Sequence, residues 1–408
     1  MVAWNKFEHF TISMRLYRLS LILFLLFPFV ALAQTATITG KVMHGESKAP
    51  VANASVFLNN ATYGTSTAED GSFTLSGVKP GQYELIVTVV GYEDYSQTVQ
   101  VGHDVIKLDI SLNQKVLMLR EVVISSNADW KKNYEQFRRE FIGTTKNSEL
   151  CKVLNPHILN LVYNRTKQQL SADGDEFLVV ENRALGYRTK YLLKNFVSDA
   201  IEHTIQYTGR ALFESLPGSP EQKKLWKLKR EEAYYGSPQQ FFRALYKNKL
   251  QEEGFEAHDF TRTLNRERPP EEVIQQKIKR YKETNRDSLI HWYHIANYTK
   301  WNNENVVKIP YQSLEILRQT QQAGIYAITF PHFLYVVYTK KHELTEFKDV
   351  YRPLDMENFE TSIITQYGGY TAFDQNGIVI SNPAPLYEGT WSKAKLCDLL
   401  PVDYEPGD

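Results

Sequence analysis

Residues 50–93 read PVANASVFLNNATYGTSTAEDGSFTLSGVKPGQYELIVTVVGYE, and this stretch decides the N-terminal fold. β-Rich runs at Ala54–Leu58, Gly64–Thr67, Ser72–Leu75 and Tyr83–Val90 are separated by turn residues at short, regular intervals. That rhythm predicts a sandwich or barrel. Asp70-Gly71 is a hairpin signal, because Gly tolerates positive φ. Pro80-Gly81 marks another turn. Phe73 and Leu75, and again Val99 and Val101, place apolar residues at alternate positions, as one buried face requires. Working outward, Thr37–Met43 adds a strand before this stretch, and Tyr95–Val101 and Val105–Leu112 add two after it. Seven strands over residues 37–112 suffice for a Greek-key sandwich.

Four segments, ITGKV (38–42), PVANASVFLNN (50–60), GTSTAEDGSFTL (64–75) and PGQYELIVTVVGYE (80–93), together resemble the carboxypeptidase regulatory-like domain. The resemblance implies a transthyretin-like seven-strand fold and says little about ligand. In the zinc carboxypeptidases that lend the family its name, this domain is not the catalytic part. Related domains occur at the N-termini of TonB-dependent outer-membrane receptors and in exported Gram-negative proteins. LMLREVVIS (117–125) is similar to the segment that joins the domain to the receptor plug. It reads as a last or linker strand packed on the sandwich, with donation to a partner's sheet edge as the alternative.

The N-terminus reads as an address. The apolar run LSLILFLLFPFVALA (19–33) follows Arg15 and Arg18 and ends in Ala31-Leu32-Ala33. These are the parts of a secretory signal peptide over residues 1–33, cleaved between Ala33 and Gln34. At 15 residues with Pro28 inside it, the run is shorter than a membrane span, which needs about 20. With no cysteine beside the cleavage point, the expected product is not a lipoprotein, and no later apolar run is long enough to span a bilayer. Losing Lys6, Arg15, Arg18 and Glu8 from 47 basic and 47 acidic residues leaves 44 and 46, a net charge of −2. Such a balance argues against a nucleic-acid partner bound through a broad cationic surface.

Residues 34–126 hold enough strands for a domain of their own, and 127–408 read as a larger α+β domain. The junction near Ser125–Ala128 is therefore the expected protease-sensitive point. In the second domain Trp130, Tyr134, Phe137 and Phe141 trace one helical face over Asp129–Ile142, with Gly143 placed to end the helix. Strand-like runs follow at His157–Tyr163, Glu176–Val180, Gly186–Val197 and Ala200–Leu212. Ser219-Pro220-Glu221-Gln222 and Ser237-Pro238-Gln239-Gln240 each predict a helix start, with Ser as cap and Pro where its missing N–H costs nothing. Those helices are expected to end near Gly236 and Gly254, and a third spans Glu271–Thr284. Strands are predicted again at Ser288–Ile295, Ile325–Phe330, Leu334–Thr339, Ser362–Gln366 and Ile378–Ile380, with a short last helix at Ser392–Leu400.

DWKKNYEQFRREFIG (129–143), CKVLNP (151–156), ENRALGYRTKYLL (181–193), YTGRALFESL (207–216), GSPQQFFRALYKNKLQEEGF (236–255) and LPVDYEP (400–406) resemble the body of an exported Gram-negative family that carries this regulatory-like domain. That likeness sharpens architecture and names no activity.

No catalytic constellation stands out. A zinc carboxypeptidase supplies two ligands from His-x-x-Glu and a third from a distant His, and none of the ten histidines here has Glu at the third following position. His291 and His294 fall in a run read as a strand, which puts them on opposite faces, and His342 and Glu343 are adjacent. Gly-x-Ser-x-Gly is missing, Ser215 sits beside a turn, and no phosphate-cradling glycine loop occurs. Asp349, Asp355 and Asp374 lie in loops without an EF-hand spacing. Cys151 and Cys397 read either as two buried thiols or as a disulfide, since sequence gives no separation. Tyr234-Tyr235, Phe241-Phe242, Trp292-Tyr293, Trp301 and Trp391 suit either core packing or a stacking platform for sugars or peptides. The expectation is a non-enzymatic exported protein without cofactor or metal, in the periplasm or at the outer membrane or surface of a Gram-negative cell. It would bind or dock an envelope protein, or a glycan or peptide ligand, and would carry no membrane span after signal removal. A hydrolase named through its domain is the remaining alternative.

Overall fold

The computed structural model describes residues 35–115, 127–298, 300–343 and 350–407. The predicted cleavage point at Ala33 and Gln34, the segment Leu117–Ser125, the first half of the Ser125–Ala128 junction and Asp349 lie outside those residues.

The seven sandwich strands are β1 (Ala36–His44), β2 (Ser55–Leu58), β3 (Gly64–Ser66), β4 (Ser72–Val78), β5 (Gly81–Thr88), β6 (Tyr95–Val101) and β7 (Ile106–Leu112), close to the predicted runs. They form two sheets, ordered β4-β1-β7 and β3-β2-β5-β6. β1 and β7 run parallel with Ile38 opposite Ile106, and the other pairs are antiparallel. Ile38, Val56, Phe73, Leu85, Val99 and Ile110 meet between the sheets. Each such side chain contributes about 1.5–3 kcal/mol by leaving water.

The body opens on α1 (Asn127–Phe137), whose last turn widens over Arg138–Ile142 before Gly143, at φ +115°, ends it. Phe137 and Phe141 are fully buried, so the predicted apolar stripe is the core face. It packs on a six-stranded sheet of β8 (Cys151–Val153), β9 (Asn160–Asn164), β10 (Gln169–Asp173), β11 (Phe177–Asn182), β12 (Tyr187–Asp199) and β13 (Thr204–Ser215). β12 pairs with β13 along its whole length. Its other edge takes β11 over the first half and β10 over the second.

α2 (Pro220–Tyr234) and α3 (Pro238–Tyr246) begin at the two predicted serine caps, each accepting from the third residue's N–H. Trp226 of α2 lies against Gly186, at φ +71°, where an added Cβ would sit 2.2 Å from the indole. After α4 (Leu250–Glu253) come β14 (Phe255–Leu264), the pair α5 (Glu271–Tyr281) and α6 (Arg286–Ala296), and β15 (Trp301–Val306). The chain closes with α7 (Ser313–Ile316), β16 (Leu317–Gln319), β17 (Ile325–Ile328), β18 (Phe333–His342), β19 (Phe359–Thr365), β20 (Thr371–Asp374), β21 (Leu386–Gly389) and α8 (Thr390–Lys393). These strands build one sheet ordered β15-β14-β18-β19-β21 and another ordered β16-β17-β20. Phe241 and Phe242 of α3 fill the core beside them.

Several expected elements differ. Ser288–Ile295 is helical, within α6, because Asn285 caps it by accepting from Ser288 N–H and because Trp292 turns toward Lys277 of α5. Tertiary packing outweighs the β-propensity of its aromatic and branched residues here. The helix from Ser237 ends at Tyr246, and only the separate turn α4 reaches Gly254. His157 lies in a 3₁₀ turn, and only Asn160–Asn164 of its run forms a strand. Ile378–Ile380 contributes a single bridge, Val379 to Phe373, and Ser392–Leu400 breaks into α8 and the 3₁₀ turn Leu396–Asp398.

The sandwich is stitched to the body. Leu212 of β13 joins Phe57 and Ile86 of the sandwich in one buried cluster, with Phe177 against it. Asn60 N–H donates to Ala211 O at 2.7 Å, and Phe213 N–H to Ala61 O at 2.9 Å. The C-terminal segment adds a second set of contacts. Val402 N–H donates to Asn60 O at 2.7 Å, and Thr62 N–H to an Asp403 carboxylate oxygen at 2.8 Å. Val402 itself lies in the sandwich core.

Candidate functional site

A groove of about 600 Å³ lies between α1, the β9–β10 hairpin and the α5–α6 pair. Each wall follows from local sequence. On α1, Asp129, Lys132 and Asn133 lie three and four positions apart, on the side that borders the groove. Trp130, Tyr134 and Phe137 instead pack toward the core. The hairpin presents Tyr163, Arg165 and Gln168, its turn held by Asn164 Oδ1 accepting from the N–H groups of Thr166 and Lys167 at 3.0 Å. On α5 and its C-terminal cap, Gln275, Ile278, Lys279 and Lys282 fall at helical spacing, and Tyr293 of α6 completes the lining. Arg268 fixes the start of α5 by its ion pair with Glu271 at 2.5 Å. Glu271 is held below the usual carboxylate range, its bonds from Gln275 and Arg268 outweighing the opposing effect of burial.

Four cations, Lys132, Arg165, Lys279 and Lys282, face one carboxylate, Asp129, across this groove. None of the four makes an ion pair among the described residues. Tyr163 and Tyr293 are both well exposed. Cations, amide side chains and open phenol rings suit a ligand with anionic groups, hydroxyls and flat apolar faces.

The residues singled out in sequence mostly serve packing. Phe241 and Phe242 are fully buried, and Trp391 is buried with its indole N–H donating 2.7 Å to Gly236 O. Tyr234 is buried while Tyr235 is exposed. Trp301 is covered by the Arg262 guanidinium, 3.9 Å from its ring, which is paired in turn with Glu388. Only Tyr293 of the expected aromatic platforms lines the groove. Ser215 ends β13 opposite Tyr187. His291 and His294 share a face of α6 instead of dividing across a strand. Among the described residues no three His, Cys, Asp or Glu side chains gather in a way that would hold a metal. His342 packs at a tilt against Phe359, ring centres 4.6 Å apart, while Glu343 accepts from Thr390. Asp355 pairs with Lys308 at 2.5 Å. Cys151 opens β8.

Asp374 has a structural role. Its Oδ1 accepts the Asn376 and Ile378 N–H groups at 2.9 Å, forming the turn from which Asn376 reaches Gln82 O of the sandwich at 2.6 Å. Burial pushes its carboxyl up to about 6, against the opposing effect of these bonds. A folded-state pKa above the unfolded value of 3.8 means the native state binds this proton more tightly. Its favourable contribution is therefore full below about pH 4 and is lost as pH rises through about 6, by at most about 3 kcal/mol. Asp374→Asn is expected to remove that dependence. Urea midpoints of the two proteins between pH 4 and 7 measure it, as the difference between wild type and variant.

Sequence reading did not find the groove, because its cations come from three distant segments. The run KIKRYK (277–282) was the visible signal, with Lys279 and Lys282 on its groove side.

Comparison with known proteins identifies the N-terminal domain. Residues 38–124 match the model of the CarboxypepD_reg-like domain. The N-terminal sandwich is a carboxypeptidase regulatory-like domain. Comparison with curated proteins gives no match. Among solved structures, the chain is similar to the pilus 2b backbone protein of group B streptococcus, at 25% identity, 19% of this chain, 40% of that one and a TM-score of 0.17. The chain thus spans less than two thirds of that structure. A putative carbohydrate binding protein from Bacteroides uniformis matches at 8% identity, over 44% of this chain and 99% of that one, with a TM-score of 0.17. A putative membrane-associated protein of unknown function from Bacteroides fragilis matches at 9% identity, over 87% and 93%, with a TM-score of 0.17. None of these overlaps is close enough to bear on what this chain binds. Among the described residues no helix is long and apolar enough to cross a membrane.

Proposed function

We propose that this is an exported, non-enzymatic binding protein of the Gram-negative cell envelope, and that its groove takes an acidic glycan. The observation that carries the reading is the set of four cations, none in an ion pair among the described residues, around two exposed tyrosines. The amides of Asn133, Gln168 and Gln275 favour a sugar over a peptide, because they match hydroxyl groups while the rings offer faces for C–H edges. The signal-like N-terminus supports export, and the regulatory-like domain supports a docking role for the sandwich.

Calorimetric titration of residues 34–408 with uronate oligosaccharides tests this. Binding is expected to weaken roughly 10–100-fold in Lys279→Glu/Lys282→Glu, and to fall in 1 M salt, where the screening length is only about 3 Å. Neutral oligosaccharides should bind poorly. Binding indifferent to charge reversal, or a preference for acidic peptides, would count against the reading.

The non-enzymatic part has its own test. Dialysed protein is expected to hold far less than one zinc per chain, to keep its melting temperature in chelator and to release no C-terminal residues from peptides. One tightly held zinc with chelator-sensitive peptidase activity would overturn it.

A further inference from the structure

We infer that Cys151 and Cys397 form a modification site: they close into an intramolecular cystine that locks the C-terminal segment onto the body sheet. The two are the only cysteines of the chain, lie 246 positions apart, and are buried in the same core cluster. Cys397 sits in the turn Leu396–Asp398, which packs on the turn Lys146–Leu150 just before Cys151. Asn182 spans both: it is the cross-strand partner of Cys151, and its Nδ2 donates 2.8 Å to Cys397 O. One short segment also touches both sulfurs. Thr145 Oγ1 lies 3.4 Å from Cys397 Sγ, and Cys151 Sγ donates to Asn147 O at 3.4 Å.

Both thiols are free and buried in this structure, and the neighbouring Cys151 thiol, burial and the Asp398 charge together hold the Cys397 thiol far above its ordinary range. A thiol held protonated is a poor nucleophile and a poor metal ligand. The folded pair therefore exchanges slowly, and the bond forms as the chain folds. A thiolate of one cysteine attacks a small-molecule disulfide and expels one thiolate. The second cysteine then attacks the mixed disulfide and expels the other. The two cysteine protons end on the two released thiols, so one disulfide is reduced as one is formed.

The position of this bond gives it a consequence. Residues 400–404, directly after Cys397, carry the contacts that tie the sandwich to the body through Val402 and Asp403. A cystine upstream of them fixes that segment covalently to β8. The groove lies outside this region, and the inference does not depend on it.

Refolding residues 34–408 in mixtures of reduced and oxidised glutathione tests the pairing, with thiols trapped and the mass read. The equilibrium constant for the intramolecular disulfide is expected to be at least about 100-fold larger in native buffer than in 6 M guanidinium, since only the folded chain holds the two sulfurs together. By linkage, the oxidised protein should melt at least about 3 °C above the reduced one, and Cys151→Ser should abolish the difference. An equal or smaller constant in the folded protein would overturn the inference, as would disulfide found only between chains. The wild-type equilibrium decides the matter even if Cys151→Ser folds poorly.

Discussion

Replacing Arg243 by methionine is expected to lower the stability of the protein by about 3–5 kcal/mol and its melting temperature by roughly 4–6 °C. Arg243 is 5% exposed, on α3. Its guanidinium donates to Asn376 O at 2.9 Å, to Tyr404 O at 2.9 Å and to Val402 O at 2.6 Å. The nearest carboxylate, that of Glu405, is 3.8 Å away. One planar fork thus gathers carbonyls from two remote segments, the turn after β20 and the C-terminal tail. Methionine keeps the apolar stem and leaves those carbonyls without their donor. Arg243→Lys should lose about half as much, because an ammonium cannot meet three carbonyls in the same plane. Urea unfolding measures both. A loss under about 1 kcal/mol for the methionine variant would mean that the tail is held by other contacts.

Leu212→Asp is expected to separate the unfolding of the sandwich from that of the body. Leu212 closes the cluster with Phe57 and Ile86, and its side chain lies so close to Gly64 that an added Cβ there would sit 2.7 Å away. A carboxylate in this place has no cationic partner in the cluster, and the cost is about 3 kcal/mol or more. The tryptophans make the readout simple. Apart from Trp4, all lie at or beyond Trp130, so indole fluorescence follows the body while far-ultraviolet circular dichroism follows both halves. The two probes should coincide in the wild type, as a cooperative unit requires, and part in the variant. Coincident curves in Leu212→Asp would show that the seam does not couple the halves.

The sandwich was legible because its turns are punctuated by Asp70-Gly71 and Pro80-Gly81 and its strands alternate. The caps at Ser219 and Ser237 announced their helices for a similar reason: the signal is local and chemical. The seam was less visible, although the consecutive buried residues Leu85, Ile86 and Val87 held a trace of it. A strand with one wet face alternates, whereas Ile86 points away from the sandwich core and is buried by the body. α6 was misread because its branched and aromatic residues favour strands, while its helical state depends on the Asn285 cap and the neighbouring α5. The groove escaped altogether. Lys132, Arg165 and Lys279 are each an ordinary surface cation until the fold sets them around one space.

A crystal structure of residues 34–408 with a uronate oligosaccharide tests the binding role most directly. The sugar is expected between α1 and α5, its carboxylates within reach of Lys132, Arg165, Lys279 or Lys282 and a ring face over Tyr163 or Tyr293. An oligosaccharide seated instead on the sandwich, or a groove left empty at saturating ligand, would contradict it.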